Sequence, residues 1–400
     1  MFTQAPSITL ALLMLIPLGP AGRAAAQPVP VARMVGYARL PADTFRPGPP
    51  STNAPRRRGQ TSAPMWDSQP VQGVSSLRHA GDGTFWALSD NGFGTRRNSG
   101  SYILVLYRLS IDWKTAEGGS GAVTVVETVE LSDPARFVKR ISNKLDARRR
   151  LTGADFDPES LHLGADGSFW IGDEFGPWLL HFSRAGELLQ APIPAKMERG
   201  GKWVTLRSPE NRRWGRYNLS GSRGFEGLTH HPGLGGLVML LEGTVKGERP
   251  GQLRLFSYLP GGPPYASSTA WRYPLEQPGH SIGEITWWPE RGLFLVLERD
   301  WGHGPQAKFK KVFAWSPQVG QAAKAEVVDL MDMADPDHLA SESGRYTMPY
   351  VTIESVLPLD GGRLIIANDN NFPAVGGRAM DRRDDTEFIL LQVEFDPQSP

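Results

Sequence analysis

The sequence has 400 residues, of which 43 are basic, 42 are acidic and 40% are hydrophobic, as in a folded globular protein with a substantial core. The near balance of charge argues against a general nucleic-acid binder, and the absence of cysteine excludes disulfides, thiol catalysis and cysteine-ligated metals. The 45 glycines and 34 prolines disfavour helices and favour a turn-rich β protein.

The N-terminus predicts an export signal. Residues 8–18 form an apolar run that is too short, and too interrupted by proline, to span a bilayer. Small residues around Ala24 and Ala26 suit cleavage after Ala26, although no Lys or Arg precedes the apolar run. A hydrophobic strand or anchor is the alternative. We expect residues 1–26 to be a signal peptide, the protein to be periplasmic or secreted, and no membrane span to remain after cleavage.

Residues 27–70 are expected to form an N-terminal segment with an exposed loop rich in Pro and Arg. The loop contains the basic triplet Arg56-Arg57-Arg58, which we interpret as solvated. No later composition change divides the chain, so residues 71–400 are predicted to be one domain.

Five segments of this domain share one pattern, in which a polar or acidic residue, a short apolar run, a turn and a second apolar run lead to an acidic or amide residue. In three of them the first and last positions are 14 residues apart in number, namely 159 and 173, 284 and 298, and 354 and 368. Such runs joined by Gly-bearing turns predict β-hairpins. The segments are Gln72–Asp90, Glu159–Asp173, Glu226–Glu242, Glu284–Glu298 and Glu354–Asn368.

Further strand-like runs lie between the hairpins, so each repeat offers about four strands. An all-β chain with this period predicts a β-propeller of four-stranded antiparallel blades. Five repeats are visible, and a sixth blade is expected from residues 31–40 together with residues 388–393, which would join the two chain ends. A pair of β-sandwiches is the competing architecture.

In a propeller the innermost strands line a central channel, so the first residues of the hairpins should converge on one axis. Several carboxylates at one point repel each other unless a cation compensates, and oxygen ligands favour calcium over magnesium. The alternative is that these acids cap turns or pair with Arg223, Arg299 or Arg345. The opening residues are Gln72, Glu159, Glu226, Glu284 and Glu354, and the closing ones are Asp90, Asp173, Glu174, Glu242, Glu298, Asp300, Asn368 and Asp369.

Two other motifs are candidates for a catalytic role. Residues 279–283 read Gly-x-Ser-x-Gly, but a strand-like run follows the serine where a nucleophile elbow needs a helix, so we interpret the motif as a loop entering a blade. His303, in a Gly-rich loop after Glu298 and Asp300, is a candidate proton carrier, although an exposed loop histidine is the simpler interpretation.

Taken together, six motifs resemble the bacterial phytase-like family, described as having esterase-like activity. The resemblance runs from about residue 70 to 395 and implies an exported propeller that hydrolyses ester or phosphoester bonds. The motifs are Ser89-Asp90-Asn91-Gly92, Asp157-Pro158-Glu159-Ser160, Gly172-Asp173-Glu174-Phe175-Gly176-Pro177, Ser222-Arg223-Gly224-Phe225-Glu226-Gly227-Leu228, Leu297-Glu298-Arg299-Asp300 and Ala367-Asn368-Asp369-Asn370-Asn371-Phe372.

The resemblance also implies that calcium neutralises the substrate and activates water, with Arg223 or Arg299 on the substrate anion. From the convergence argument and the resemblance together, we expect catalytic roles for Glu226, Arg223, Glu298 and His303. The expected metal ligands are Glu159, Asp173, Glu174, Glu226, Glu284, Glu298, Asp300, Glu354 and Asp369.

Two functions remain open on the sequence. The first is a calcium-dependent hydrolase of a small-molecule ester or phosphoester. No dense Lys/Arg set is evident at the same mouth, so phosphatase, lactonase and carboxylesterase reactions all stay possible. The second is a non-catalytic binding protein in which calcium is structural.

Overall fold

The structure, a computed structural model, describes residues 31–55, 63–144, 146–211, 216–234, 236–262, 267–317 and 323–394. The expected signal peptide and the basic triplet at 56–58 lie outside these described residues. Within them the regular structure is β-strand apart from two short 3₁₀ helices, Pro232–Leu234 and Gly304–Gln306. In the same ranges no helix is long and apolar enough to cross a membrane.

The strands are numbered in chain order. The first thirteen are β1 (Val31–Leu40), β2 (Phe45–Arg46), β3 (Gln69–Pro70), β4 (Val74–His79), β5 (Phe85–Ser89), β6 (Val105–Asp112), β7 (Ala122–Glu130), β8 (Pro158–Leu163), β9 (Phe169–Asp173), β10 (Trp178–Phe182), β11 (Ile193–Pro194), β12 (Lys196–Arg199) and β13 (Lys202–Thr205). The others are β14 (Phe225–His231), β15 (Gly236–Leu241), β16 (Gln252–Tyr258), β17 (Ser267–Pro274), β18 (Ser281–Trp288), β19 (Leu293–Arg299), β20 (Lys310–Ser316), β21 (Ala323–Asp329), β22 (Met333–Ala334), β23 (Arg345–Tyr346), β24 (Ile353–Leu359), β25 (Arg363–Asn368) and β26 (Thr386–Glu394).

These strands form antiparallel four-stranded blades, which confirms the predicted all-β propeller. In order from the channel outward, the blades are β4-β5-β6-β7, β8-β9-β10-β11, β14-β15-β16-β17, β18-β19-β20-β21 and β24-β25-β26-β1. The β12–β13 hairpin extends the third blade, and β22 and β23 attach to β1. We call these blades 1 to 5.

The core lies between neighbouring blades. The second strand of each blade is covered on both faces, and every residue of β5, β9 and β15 is buried. This is why the runs in these hairpins are apolar without a two-residue alternation. One such layer joins Val238 and Leu240 of blade 3 to Phe294 and Val296 of blade 4.

The innermost strands close into a ring of five. Strand β4 contacts β8, β8 contacts β14, β14 contacts β18, β18 contacts β24, and β24 contacts β4. The expected sixth blade is therefore not confirmed in the described residues. Strands β1 and β26 pair with each other along their length and complete blade 5, so the two ends of the domain do meet as expected. Strand β1, which belongs to blade 5, precedes the expected domain boundary at residue 71.

Candidate functional site

Each innermost strand carries a β-bulge near its start, at the end of the channel that we call the mouth. The strand pairing skips one residue there in all five blades. A bulge breaks the alternation of side chains and changes the direction of the extra residue. The bulged residues are Ser75, Glu159, Glu226, Gly283 and Glu354, so three blades place a glutamate at this position.

Each blade supplies a second side chain at the mouth, from the residue that comes directly after the partner of the residue before the bulge. In four blades this residue is acidic, and in blade 4 it is an arginine. The five residues are Asp90, Glu174, Glu242, Arg299 and Asp369, and each is no more than 8% exposed. The two equivalent positions explain why acids that are far apart in the sequence meet at one point.

Six carboxylates from blades 2, 3 and 5 form what we call the carboxylate cluster. Three groups within it each bring three ligand oxygens within 4.8 Å of one another. All six residues are buried. The groups are Asp157 with Glu159 and Glu174, Glu159 with Glu226 and Glu354, and Glu174 with Glu226 and Glu242.

Burial is the main cause of raised pKa values in this cluster, and mutual repulsion adds to it. Desolvation, with the charge of Asp90, raises the pKa of Asp157 to about 7. Desolvation raises the pKa of Glu354 to about 8, although Arg299 opposes the shift. The pKa values of Glu159 and Glu226 lie well above the usual range for the same first reason. Without a cation, the cluster therefore holds protons at neutral pH.

The donor set fits a hard divalent cation. All six side chains of the cluster are carboxylates, and no group of three in the described residues includes a histidine. Oxygen-only ligands of this charge suit calcium, whereas magnesium usually keeps several of its waters. A cation would also offset the repulsion that raises these pKa values.

Arg299 is the buried cation at the cluster. Its Nη2 atom lies 3.3 Å from Glu242 Oε1, 3.6 Å from Glu354 Oε1 and 3.7 Å from Glu226 Oε1. The residue is 2% exposed, yet its Nε and Nη1 atoms have no hydrogen-bond partner in the described residues. Two charged donors next to the carboxylates are therefore available to a ligand oxygen.

Trp301 covers this arginine from the solvent side. The guanidinium carbons of Arg299 and Arg223 each lie 4.5 Å from the centre of a Trp301 ring. Arg223 also donates to Glu242 Oε2 at 2.5 Å, and Trp301 is 45% exposed. Trp301 and the partly exposed Arg223 thus pack next to Arg299 and Glu242 at the mouth.

A buried lysine fixes the loop that carries Trp301. Lys310 Nζ donates to the carbonyl oxygens of Asp300 at 2.8 Å, Gly302 at 3.1 Å and Val351 at 3.3 Å. Its side chain is fully buried, and this burial lowers the pKa of Lys310 to about 8. Lys310 therefore holds both sides of the loop in place.

The structure does not bring Glu284 into the cluster, contrary to the expectation from spacing. Gly283 occupies the bulge of blade 4, and a Cβ atom there would lie 2.1 Å from the carbonyl oxygen of Ile353. Glu284 is one residue further along and bonds to Arg78 at 3.0 Å and to Ser76 at 2.8 Å. The 14-residue spacing pointed to Glu284 because the hairpin of blade 4 is one residue longer than those of blades 2 and 5. Its bulge at Gly283 lies 15 positions before Glu298, whereas Glu159 and Glu354 lie 14 positions before Asp173 and Asn368.

Glu298 is also placed away from the cluster. It pairs with Ile282, and the side chain that reaches the mouth belongs to the next residue, Arg299. The Glu298 carboxylate accepts hydrogen bonds from Tyr273 at 3.0 Å and Lys324 at 2.7 Å, and contacts His280 at 2.9 Å. With these partners, Glu298 lies outside the three groups of carboxylates, so the structure does not place it among the expected metal ligands there.

Asp300 and His303 shape the mouth without joining the cluster. The Asp300 carboxylate accepts the backbone N–H groups of Gly302, Lys308 and Phe309, and pairs with Lys310, so its oxygens are already used. The Nε2 atom of His303 lies 3.0 Å from Asp384 Oδ2. His303 is thus held in a fixed orientation, outside the three groups of carboxylates.

Two other expected ligands lie at the edge of the cluster. Asp173 accepts the backbone N–H groups of Asp157 and Gly176, one on each oxygen, so it supports the cluster residue Asp157. Asp369 accepts the N–H group of Asn371, and repulsion from Asp90 adds to burial in raising its pKa. Neither belongs to the three groups.

The sequence-based ligand set omitted Asp157 and Glu242. Asp157 precedes the first hairpin position by two residues, and its carboxylate accepts from the Asn91 side chain at 2.7 Å. Glu242 accepts from Ser281 Oγ at 2.5 Å as well as from Arg223. The sequence did indicate Glu242, because it is the acidic residue at the end of the hairpin segment Glu226–Glu242, just as Asp173 and Glu174 stand at the end of the segment before it.

A curated protein is similar in sequence to part of this chain. A secreted protein of Arthroderma benhamiae, described as uncharacterized, is 26% identical over 250 residues, which are 49% of this chain and 45% of that protein. This chain thus spans less than half the length of that curated relative.

Solved structures that are similar to this chain include the PQQ-bound aldose sugar dehydrogenase of Streptomyces coelicolor. The two sequences are 15% identical, and the TM-score is 0.33 over 90% of this chain and 98% of that one. Another is an exo-β-1,3-galactanase of Phanerochaete chrysosporium, at 8% identity and a TM-score of 0.40 over 85% of this chain and 63% of that one. The sequence model described as "Phytase-like: Esterase-like activity of phytase" matches residues 69–372. Because that match covers more than half of the chain, the protein belongs to the phytase-like family.

Proposed function

We propose that the protein is an exported, calcium-dependent hydrolase of ester or phosphoester bonds in a small molecule. The observation that carries the proposal is the carboxylate cluster, with Arg299 buried beside it and two of its donors unpaired. Membership of a family described by esterase-like activity supports the reaction class. The secreted relative supports export, and we propose that residues 1–26 are the cleaved signal.

The residues that would hold calcium are Asp157, Glu159, Glu174, Glu226 and Glu354. When bound, the ion supplies charge neutralisation for an anionic substrate, polarisation of its oxygen and a lowered pKa for a coordinated water. Either of the unpaired donor atoms of Arg299, Nε or Nη1, would bind a carbonyl or phosphoryl oxygen and stabilise the charge that develops on it.

The surrounding residues would prepare the site. Arg223 and Ser281 both donate to Glu242, so this carboxylate is held in one orientation next to Arg299. Trp301 limits the access of water, which strengthens the electrostatic interactions below it. We propose His303, oriented by Asp384, as a proton carrier at the same face of the propeller.

The proposal is tested by assaying the purified protein on phosphomonoesters, lactones and aryl esters, before and after removal of metal and after calcium is restored. We expect turnover of one class, its loss with the metal and its recovery with calcium. Elemental analysis should find calcium in the protein as isolated. Metal-independent turnover, or no turnover on any panel, would contradict the proposal.

The burial of the cluster favours a second candidate, a non-catalytic binding protein with structural calcium. Each of the six acids is no more than 8% exposed, as a structural ion site requires. Glu226→Gln separates the two functions. Loss of a turnover that the wild type shows, together with loss of the calcium-dependent stabilisation, favours catalysis, whereas loss of that stabilisation when the wild type shows no turnover favours the binding protein.

A further inference from the structure

A surface loop of this nearly neutral protein is strongly basic. Seven of the seventeen residues from 134 to 150 are Arg or Lys, and only Asp146 is acidic. The chain as a whole has an excess of one basic residue. We call this segment, described apart from residue 145, the basic loop.

Strand direction places the basic loop on the same face as the mouth. Strand β4 starts at the mouth, and the four strands of blade 1 alternate in direction. The last of them, β7, therefore ends at the mouth face, and β8 starts there with Glu159 near its beginning. The loop between β7 and β8 must lie on that face.

Among the described residues, three of the seven basic residues in the basic loop form ion pairs with nearby acidic residues, and the other four do not. Arg149 pairs with Asp133 at 3.0 Å and Arg148 with Glu130 at 3.0 Å, and Arg150 bonds to Asp146. The other four basic residues are exposed and form no ion pair within the described part of the chain. They are Arg136, Lys139, Arg140 and Lys144.

The unpaired residues are presented on an ordered backbone. Asp133 accepts the N–H groups of Phe137 at 2.9 Å and Val138 at 3.0 Å. Further along, Asp155 accepts the N–H group of Ser142 at 2.6 Å, and Ile141 is only 3% exposed. Phe137 is left 40% exposed among the free cations.

We propose that the basic loop docks the protein on a bilayer surface that carries anionic headgroups, with the mouth turned toward that surface. Four free cations match a layer of headgroup phosphates, and the attraction falls off within a Debye length. An exposed phenylalanine between such cations can enter the headgroup region, and this favours a bilayer over a soluble polyanion. Binding would be reversible and sensitive to salt.

The test is sedimentation of the purified chain with vesicles of phosphatidylcholine alone or with phosphatidylglycerol added. We expect binding only to the anionic vesicles, and weaker binding at high salt. Each basic residue near such a surface contributes roughly fivefold to the partition constant. Reversing Lys139, Arg140 and Lys144 to Glu removes three positive charges and adds three negative ones, and should therefore lower it by at least about 100-fold.

A matched control makes the same change in net charge elsewhere. Arg33, Arg291 and Arg363 are exposed near the opposite end of the blades, and their reversal to Glu should leave vesicle binding nearly unchanged. Equal losses in both triple variants, or equal binding of wild type to neutral and anionic vesicles, would overturn the proposal. Phe137→Ser should weaken binding to vesicles but not to polyphosphate. Binding to polyphosphate without binding to vesicles would assign the loop to a soluble polyanion and also overturn it.

Discussion

Replacing Glu226 by glutamine removes one negative charge from the centre of the carboxylate cluster while keeping the shape of the side chain. Glu226 belongs to two of the three groups of ligand oxygens. Loss of an outer hydrogen-bonding partner of a metal ligand already lowers metal affinity roughly 10- to 100-fold. We therefore expect Glu226→Gln to lower calcium affinity by about 100-fold or more.

This loss can be converted into a shift in melting temperature. At a calcium concentration about 100 times the dissociation constant of the wild type, binding stabilises the folded state by about 2.7 kcal/mol. For a chain of this length that corresponds to about 3 °C in melting temperature. The metal-free proteins should melt at similar temperatures, because desolvation raises the pKa of Glu226 and so favours the neutral form that glutamine resembles.

The assay is calorimetry of metal-free protein with and without added calcium, and the quantity compared is the calcium-dependent rise in melting temperature. Glu284→Gln is the matched control, since Glu284 is also buried on an innermost strand but pairs with Arg78. It should lower stability by about 3–5 kcal/mol with or without calcium and leave the calcium-dependent rise intact. An equal rise in wild type and Glu226→Gln would refute the cluster as the calcium site.

Three further outcomes are expected. The folded-state pKa values of Asp157 and Glu354, about 7 and about 8, exceed their unfolded values near 4. The metal-free protein should therefore lose stability as the pH rises from about 4 to about 8, because the unfolded chain releases these protons first. A higher melting temperature at about pH 8 than at about pH 5 would contradict this. Trp301→Ala should lower the free energy of unfolding by about 1–2 kcal/mol through loss of two cation–π contacts and should speed calcium exchange measured by chelator competition, whereas Trp301→Phe should do neither fully. Lys310→Met should cost about 3–5 kcal/mol in urea unfolding, because it leaves the Asp300 carboxylate without its cation, and the exposed neighbour Lys308 replaced by Met should be nearly neutral.

Local sequence patterns were sufficient to predict the hairpins, and the hairpins to predict the propeller. Runs such as Phe169–Asp173 are apolar at successive positions because blades cover both faces, and this property is visible without coordinates. Convergence of Glu159, Glu226 and Glu354 was also predictable, since equivalent strands of a propeller share one axis. These inferences depend only on short-range pattern and repetition.

The number of blades and the membership of the site required the tertiary structure. Whether residues 31–40 begin a new blade or complete an existing one depends on pairing with β26, more than 300 residues away along the chain. Whether Gly283 or Glu284 faces the cluster, and whether Glu298 or Arg299 does, depends on where a bulge interrupts the pairing of two strands. A shift of one residue turns a side chain to the opposite face of a strand. The sequence by itself therefore determined the repeated element and the type of residue at its ends, whereas the register between strands decided which of those residues meet.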